Sequence, residues 1–253
     1  MSLDGFGDEL YWNEDQWDAH LEEIEQKSEQ LRNFITSDPT GVEPRWVTLL
    51  RENLDEDDAV DAFIEEELLL DEAYFPEEDD DWDDEEMDED DLFLFEDPSL
   101  LDEDDDDFDE GEEWKFLSDE FTFTNYGSLE NLQIYRTARK LAVDTLKWAE
   151  SVAPAYHNKA YHDFIGQILK ISAKIAGGYS FGYEQDYLGG NIAYNKRGLH
   201  CANTALQLLQ IQKSAPYMNP VLYNRLHSRL FELRNEIGIY IQELRDRFNT
   251  GIE

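Results

Sequence analysis

The sequence predicts an all-α fold: a C-terminal antiparallel four-helix bundle preceded by an acidic N-terminal arm that is partly helical and partly disordered. Three observations carry this. Fifty of the 61 Asp and Glu residues fall between Met1 and Gly127, against 5 Lys and Arg, whereas Ser128 to Glu253 holds 11 acids and 15 bases. The formal net charge of −41 is therefore −45 on one side of Gly127 and +4 on the other, a self-repelling arm joined to a segment of globular composition. Next, apolar residues of the second half recur every three or four positions, the period of an amphipathic helix. Finally, the breaks between these stretches are short and marked by Gly and Pro, which sets consecutive helices antiparallel. The second half, at about 125 residues, is long enough to bury its own core. Halophilic adaptation would acidify both halves, and only one is acidic.

The arm opens with a helical stripe over Glu14 to Ile35, formed by Trp17, Leu21, Ile24, Leu31 and Ile35 with Glu22, Glu23, Glu25 and Glu29 elsewhere. Ser37-Asp38-Pro39-Thr40-Gly41 breaks it. A short helix follows over Pro44 to Asn53, with Trp46, Leu49 and Leu50 apolar. A third spans Asp55 to Tyr74 on Val60, Phe63, Ile64, Leu68 and Leu69. These pieces either form a small module or order only against a partner or the second half. Glu77 to Glu113 carries too much like charge to collapse unaided. Its acid is interrupted by Leu92, Phe93, Leu94 and Phe95, with Trp82, Phe108 and Trp114 nearby. That composition suits either a solvating linker or a docking segment, and a pure spacer has no need of four consecutive large apolar residues. The chain thus divides into acidic amphipathic helical segments over 1–75, an acidic low-complexity linker or docking segment over 76–117, and the bundle over 118–253.

Bundle helix one starts at Ser128, a candidate N-cap, and shows Leu132, Tyr135, Ala138, Leu141, Ala142, Leu146 and Ala149 on one face before Pro154. Helix two runs from Asn158 to Ala176 on Phe164, Ile165, Ile168, Leu169, Ile171 and Ile175, and Gly177-Gly178 stops it. Helix three runs from Glu184 to Ser214 on Leu188, Ile192, Leu199, Ala202, Leu206 and Leu209. Asn219 caps helix four with Pro220 at its first position. Its apolar residues, Leu222, Leu226, Leu230, Leu233, Ile237, Tyr240, Ile241 and Leu244, continue toward Asn249.

Helices two and three read QILKISAKIAGGYSFGYEQDYLGGNIAYNKRG. This resembles the ribosomal-RNA intervening-sequence family of four-helix bundles, to which the accessory variability determinants of diversity-generating retroelements belong. Gln167, Ser172, Ile175, Ala176, Gly178, Arg197 and Gly198 fit the family pattern, over roughly Leu132 to Phe248 and none of the acidic half. Gly177 stands where Glu is usual, Leu199 where Ser is usual and Ala202 where Glu follows, so a polar contact of the family bundle is missing. The resemblance implies a non-enzymatic bundle similar to proteins that form homopentameric rings. In the retroelement case the ring uses a basic surface to bind a reverse transcriptase and RNA; only a weak version of that surface can exist here.

Enzymatic and metal chemistries lack their motifs, and no catalytic, cofactor or metal residue is assigned. None of the five His residues follows a Glu by three, as di-iron bundles require. Asp102-x-Asp104-x-Asp106 with Glu113 has the spacing of a calcium loop, but Asp107 occupies the place that needs Gly. GGYSFG follows a helix and lacks the Lys-Ser/Thr of a phosphate loop. Cys201, the sole cysteine, sits among apolar neighbours and suits a core place. No secretory leader and no membrane span is evident, so a cytoplasmic protein with no membrane partner is expected.

The candidate anion or partner surface is Arg136, Arg139, Lys140, Lys170, Lys174, Lys196, Arg197, Arg225 and Arg229. Its anion is either RNA or the chain's own acidic arm. Two functions follow as expectations. One is an oligomerising interaction protein with a protein partner, its arm docked on a basic partner or neighbouring subunit. The other is a nucleic-acid accessory factor that binds only with the arm displaced.

Overall fold

The computed structural model describes residues 12–35, 43–72, 123–124 and 127–250. Among them are seven α-helices: α1 (Glu14–Ile35), α2 (Arg45–Glu52), α3 (Glu56–Glu72), α4 (Gln133–Glu150), α5 (Lys159–Ser180), α6 (Leu188–Gln212) and α7 (Pro220–Thr250). The fold is all-α, apart from a two-residue antiparallel ladder that pairs Phe123 with Ser128 and Thr124 with Gly127. The segment 76–117, including Leu92, Phe93, Leu94 and Phe95, lies outside the described residues.

Local chemistry sets the helix starts. Asn13 Oδ1 accepts from the amides of Asp15 and Gln16, both at 3.0 Å, while Gln16 Oε1 accepts from the Asn13 amide at 2.9 Å. This is a reciprocal cap built from Asn and Gln. Asp55 caps α3 in one direction only, its Oδ1 accepting from the amides of Asp57 and Asp58 at 2.9 and 3.0 Å. Asn158 and Asn219 cap α5 and α7 through the amides of Tyr161 and Leu222. Ser128 departs from expectation: it caps a 3₁₀ turn over Leu129–Asn131, and α4 begins only at Gln133.

Gly177-Gly178 also departs. They do not stop α5, which continues to Ser180. A Cβ at Gly177 would lie 2.8 Å from the Tyr194 ring, and one at Gly178 would lie 2.5 Å from Asn195 Nδ2. The pair is the notch through which α6 closes on α5. That contact outweighs a helix cost of about 1 kcal/mol per glycine. The turn comes at Gly182, whose φ of +81° only glycine adopts readily. α6 then starts at Leu188 rather than Glu184, because Glu184 to Tyr187 is spent on the turn, its carbonyl accepting from Tyr187 and Leu188.

α5 is the centre of the molecule. α4 and α6 pack on its bundle side, and α3 packs on the side a four-helix bundle would leave to solvent. Tyr161, Phe164, Ile165, Ile168, Ile171 and Ile175 are all buried, on more than one stripe. Trp46, Leu49, Val60, Phe63, Ile64 and Leu68 of α2 and α3 belong to the same apolar core as Leu141, Leu230 and Ile237. The boundary in charge at Gly127 is therefore not a boundary in the core. α1 sits apart: Leu21 and Ile24 pack with Ala193 and Tyr194 of α6, flanked by Trp17 and Phe181.

Candidate functional site: acidic helices on the basic face of the bundle

The acids of α1 and α3 land on the bases of α4, α5, α6 and α7. On the α3 side, Arg139 donates from Nε and Nη2 to the two oxygens of Asp61 at 2.7 and 2.6 Å, and from Nη1 to Asp57 at 3.2 Å. Lys147 reaches Asp57 at 3.4 Å. Asp57 and Asp61 are one turn apart on α3, so a single Arg fork on the facing helix spans both. The bond from Asp61 outweighs burial and raises the Arg139 pKa, whereas burial, aided by Asp61, raises that of the neighbouring Tyr135 phenol.

On the α1 side, Glu14 takes a bidentate pair from Arg245 of α7 at 2.8 and 2.9 Å. Lys196 lies 3.9 Å from Glu14 and 3.7 Å from Asp15. Arg197 donates to the Asp18 carbonyl at 2.7 Å, contacts the Asp18 carboxylate at 3.4 Å and pairs with Glu25. Burial raises the Glu25 carboxyl, but Lys174 and Arg197 outweigh it and hold it below the usual carboxylate range. The Arg245 hydrogen bond does the same for Glu14.

Lys174 joins the two sides. Its side chain is 3 % exposed, with Nζ 3.1 Å from Glu25 of α1 and 3.9 Å from Glu67 of α3, itself 6 % exposed. The ammonium also lies over the Tyr194 ring, 5.5 Å from its centroid. A buried cation between two carboxylates from different helices ties α1, α3, α5 and α6 into one charge-compensated unit.

The candidate anion surface is thereby divided. Arg139, Lys174, Lys196 and Arg197 are covered by the chain's own acidic helices, and Arg229 pairs with Asp144 at 2.7 Å. Arg136 donates to Gln133. Arg136, Lys140 and Arg229 line an open groove of about 530 Å³ between α4 and α7, but Asp144, Glu232 and Glu236 line it too. Lys170 lies on α5, and Arg225 lies on α7 outside that lining. Four of the nine candidate cations sit where the acidic helices dock, and the other five are spread over α4, α5 and α7.

The residues carrying the family resemblance are structural. Ser172, Ile175 and Ala176 are fully buried, and the Ser172 hydroxyl donates to the Leu169 carbonyl at 2.8 Å. Gly178 and Gly198 lie at the α5–α6 contact, Gln167 is half-buried on α5, and Arg197 serves α1. Sequence reasoning missed the acids that do the docking: Glu14, Asp18 and Glu25 in α1, and Asp57, Asp61 and Glu67 in α3. Their signal is present, since residues 14, 18 and 25 flank the stripe 17, 21 and 24. Dense acid elsewhere hides it.

Burial raises the Cys201 thiol to about 11, which keeps it protonated at neutral pH. No group of three His, Cys, Asp or Glu side chains among the described residues is placed to hold a metal, and no described helix is long and apolar enough to cross a membrane. No family model, curated protein or solved structure matches the chain.

Proposed function

We propose that the protein is a non-enzymatic interaction protein whose surplus acid docks on a cationic protein partner. The observation that carries this is the set of ion pairs just described. Arg139, Lys147, Lys174, Lys196, Arg197 and Arg245 are already matched by α1 and α3, while residues 73–122 hold 27 Asp and Glu against one Lys. That excess is far larger than the net charge of +4 on the second half, so its complement is sought outside the chain. Oligomerisation, pentameric by the family resemblance, is part of the reading. Val221, Phe231 and Ile239 give α7 exposed apolar side chains that support a subunit contact.

The test is a titration of the full-length protein with a Lys-rich peptide and with single-stranded RNA over a range of salt. The expected result is salt-sensitive binding of the peptide and none of the RNA. Tight RNA binding by the intact protein would refute it.

A second reading, a nucleic-acid accessory factor autoinhibited by the arm, is favoured by one observation: the acids occupy the bases an RNA would need. Deleting the arm would open the core shared by Val60 and Phe63. Substitution is the cleaner test. Asp57→Asn with Asp61→Asn and Glu25→Gln removes the carboxylates that meet Arg139 and one of those that meet Lys174 and Arg197. RNA affinity that appears with these changes and falls steeply with salt supports this reading.

A further inference from the structure

We infer that the face of the bundle covered by α1 is a docking site for an acidic amphipathic helix of a partner protein, and that α1 is its resident competitor in cis. This is independent of the cationic partner proposed above, which uses residues 73–122 rather than the bundle.

The argument starts from how differently the arm helices are attached. α2 and α3 contribute Trp46, Val60, Phe63 and Ile64 to the main core, so they are part of the fold. Among its described side chains, α1 adds the small separate cluster of Leu21, Ile24, Ala193 and Tyr194 with Trp17 and Phe181 at its edge, and it also touches α3. Beside it lie ion pairs whose acids are partly open to solvent, Asp18 and Glu25 at 42 % and 41 % exposed, over cations, Arg197 and Lys174, that are 13 % and 3 % exposed. Salt reaches these pairs from their acidic side and weakens them. A helix held in this way can exchange while α3 stays seated. Thr36 to Pro44 is nine residues, enough for about 30 Å of extended chain.

What the face accepts is written in α1. Apolar side chains at 17, 21 and 24 enter beside Tyr194, and carboxylates at 14, 18 and 25 meet Arg245, Arg197 and Lys174. Gly189 keeps the floor flat: a Cβ there would lie 2.5 Å from the Trp12 carbonyl oxygen and 2.9 Å from Trp17 Cδ1. A nucleic acid satisfies the cations but has nothing for the apolar seat. A neutral helix fills the seat and leaves Lys174 without its Glu25 counter-charge. An acidic amphipathic helix does both, the helix-in-groove mode with charges added for specificity. Release of α1 uncovers Ala193, Tyr194 and Lys174, all now buried, so exchange for another such helix is favoured over an empty face.

The experiment uses the full chain with a protease site replacing Ser37–Gly41, so that α1 is severed only after folding. The probe is a fluorescein-labelled peptide of residues 11–35, read by anisotropy. A short tether gives α1 an effective concentration of about 1 mM. Cutting and dilution should therefore tighten apparent peptide binding by about tenfold or more over the uncut protein. Peptides carrying Leu21→Asp with Ile24→Asp, or Glu14→Gln, Asp18→Asn and Glu25→Gln together, should each bind at least about tenfold more weakly. The proposal is overturned if the severed α1 never exchanges with the probe or if the cut protein unfolds by circular dichroism, since α1 is then a fixed part of the fold. It is equally overturned if the charge-neutral peptide binds as well as the native one. Dimers of the uncut protein that vanish on cutting would assign the face to a second copy instead and overturn the partner-protein assignment.

Discussion

Replacing Lys174 with Met should be among the most damaging single changes in the described chain, and it should be repairable. Nζ lies 3.1 Å from Glu25 and 3.9 Å from Glu67. At an effective dielectric of about 20 these pairs attract by roughly 5 and 4 kcal/mol, before the cost of removing the charges from water. The two partners differ in what they do when the cation is gone. Glu25 is 41 % exposed and can turn to solvent or lean on Arg197. Glu67 is 6 % exposed on a helix fixed in the core. Taking the ammonium away from this buried carboxylate is expected to cost about 3–5 kcal/mol, a fall in Tm of about 6–20 °C for a domain of this size. The assay is guanidinium unfolding of Lys174→Met, Glu67→Leu and the double variant. The double variant removes both buried charges and should recover to within about 1–2 kcal/mol of wild type, because replacing a buried pair with apolar side chains is often neutral. A loss below about 1 kcal/mol for Lys174→Met, or no recovery in the double variant, would refute the placement of Lys174 between α3 and α1.

Other consequences follow from the same contacts. Gly178→Ala pushes a Cβ onto Asn195 and the Asn191 carbonyl and should cost about 1–3 kcal/mol, whereas Gly238→Ala, with open space around it, should stabilise by up to about 1 kcal/mol; thermal melts of the two decide it. The depressed Glu14 and Glu25 carboxyls give α1 a stability that is full above the ordinary carboxylate pKa of about 4.3 and is lost as pH falls through their lower folded values. Hydrogen exchange should therefore show α1 amides losing protection below about pH 4 before those of α5, and retained protection of α1 would count against the ionic hold. Breaking the Arg139 fork with Asp61→Asn should cost about 1–3 kcal/mol in urea unfolding, with coupling to Arg139→Gln in a double-mutant cycle. Cys201 should react with a thiol reagent only as fast as the bundle opens.

Much of the fold was legible because helical period is a local property. The stripes over 14–35, 44–53 and 55–74 each read from neighbours three and four apart, as do the four of the bundle, and the helices formed at 14–35, 45–52 and 56–72; Asn219 announces α7 by its own side chain. Gly177-Gly178 was misread for a definite reason. Local propensity says stop, and only the Tyr194 ring and Asn195 amide, brought in by α6, make two glycines the residues that let the helix continue. Ser128 was misread for the opposite reason: the capping chemistry is right, but it closes a 3₁₀ turn before the helix. The basic surface was half legible. The residues were identified, and their own arm was one of the anions considered, but which acids meet which bases was hidden in a field of carboxylates.

The sequence by itself determined an all-helical chain with its charge divided at Gly127, since composition and period need no partner to be read. The tertiary structure alone decided that this division is crossed. Arg139 and Asp61 are 78 residues apart, and Arg245 and Glu14 are 231 apart. Nothing local couples such pairs. They meet because Val60, Phe63 and Ile64 bury themselves on α5 and carry the acids of α3 with them, and because Leu21 and Ile24 seat α1 on α6. Hydrophobic burial chose the faces, and the charges were then matched across them.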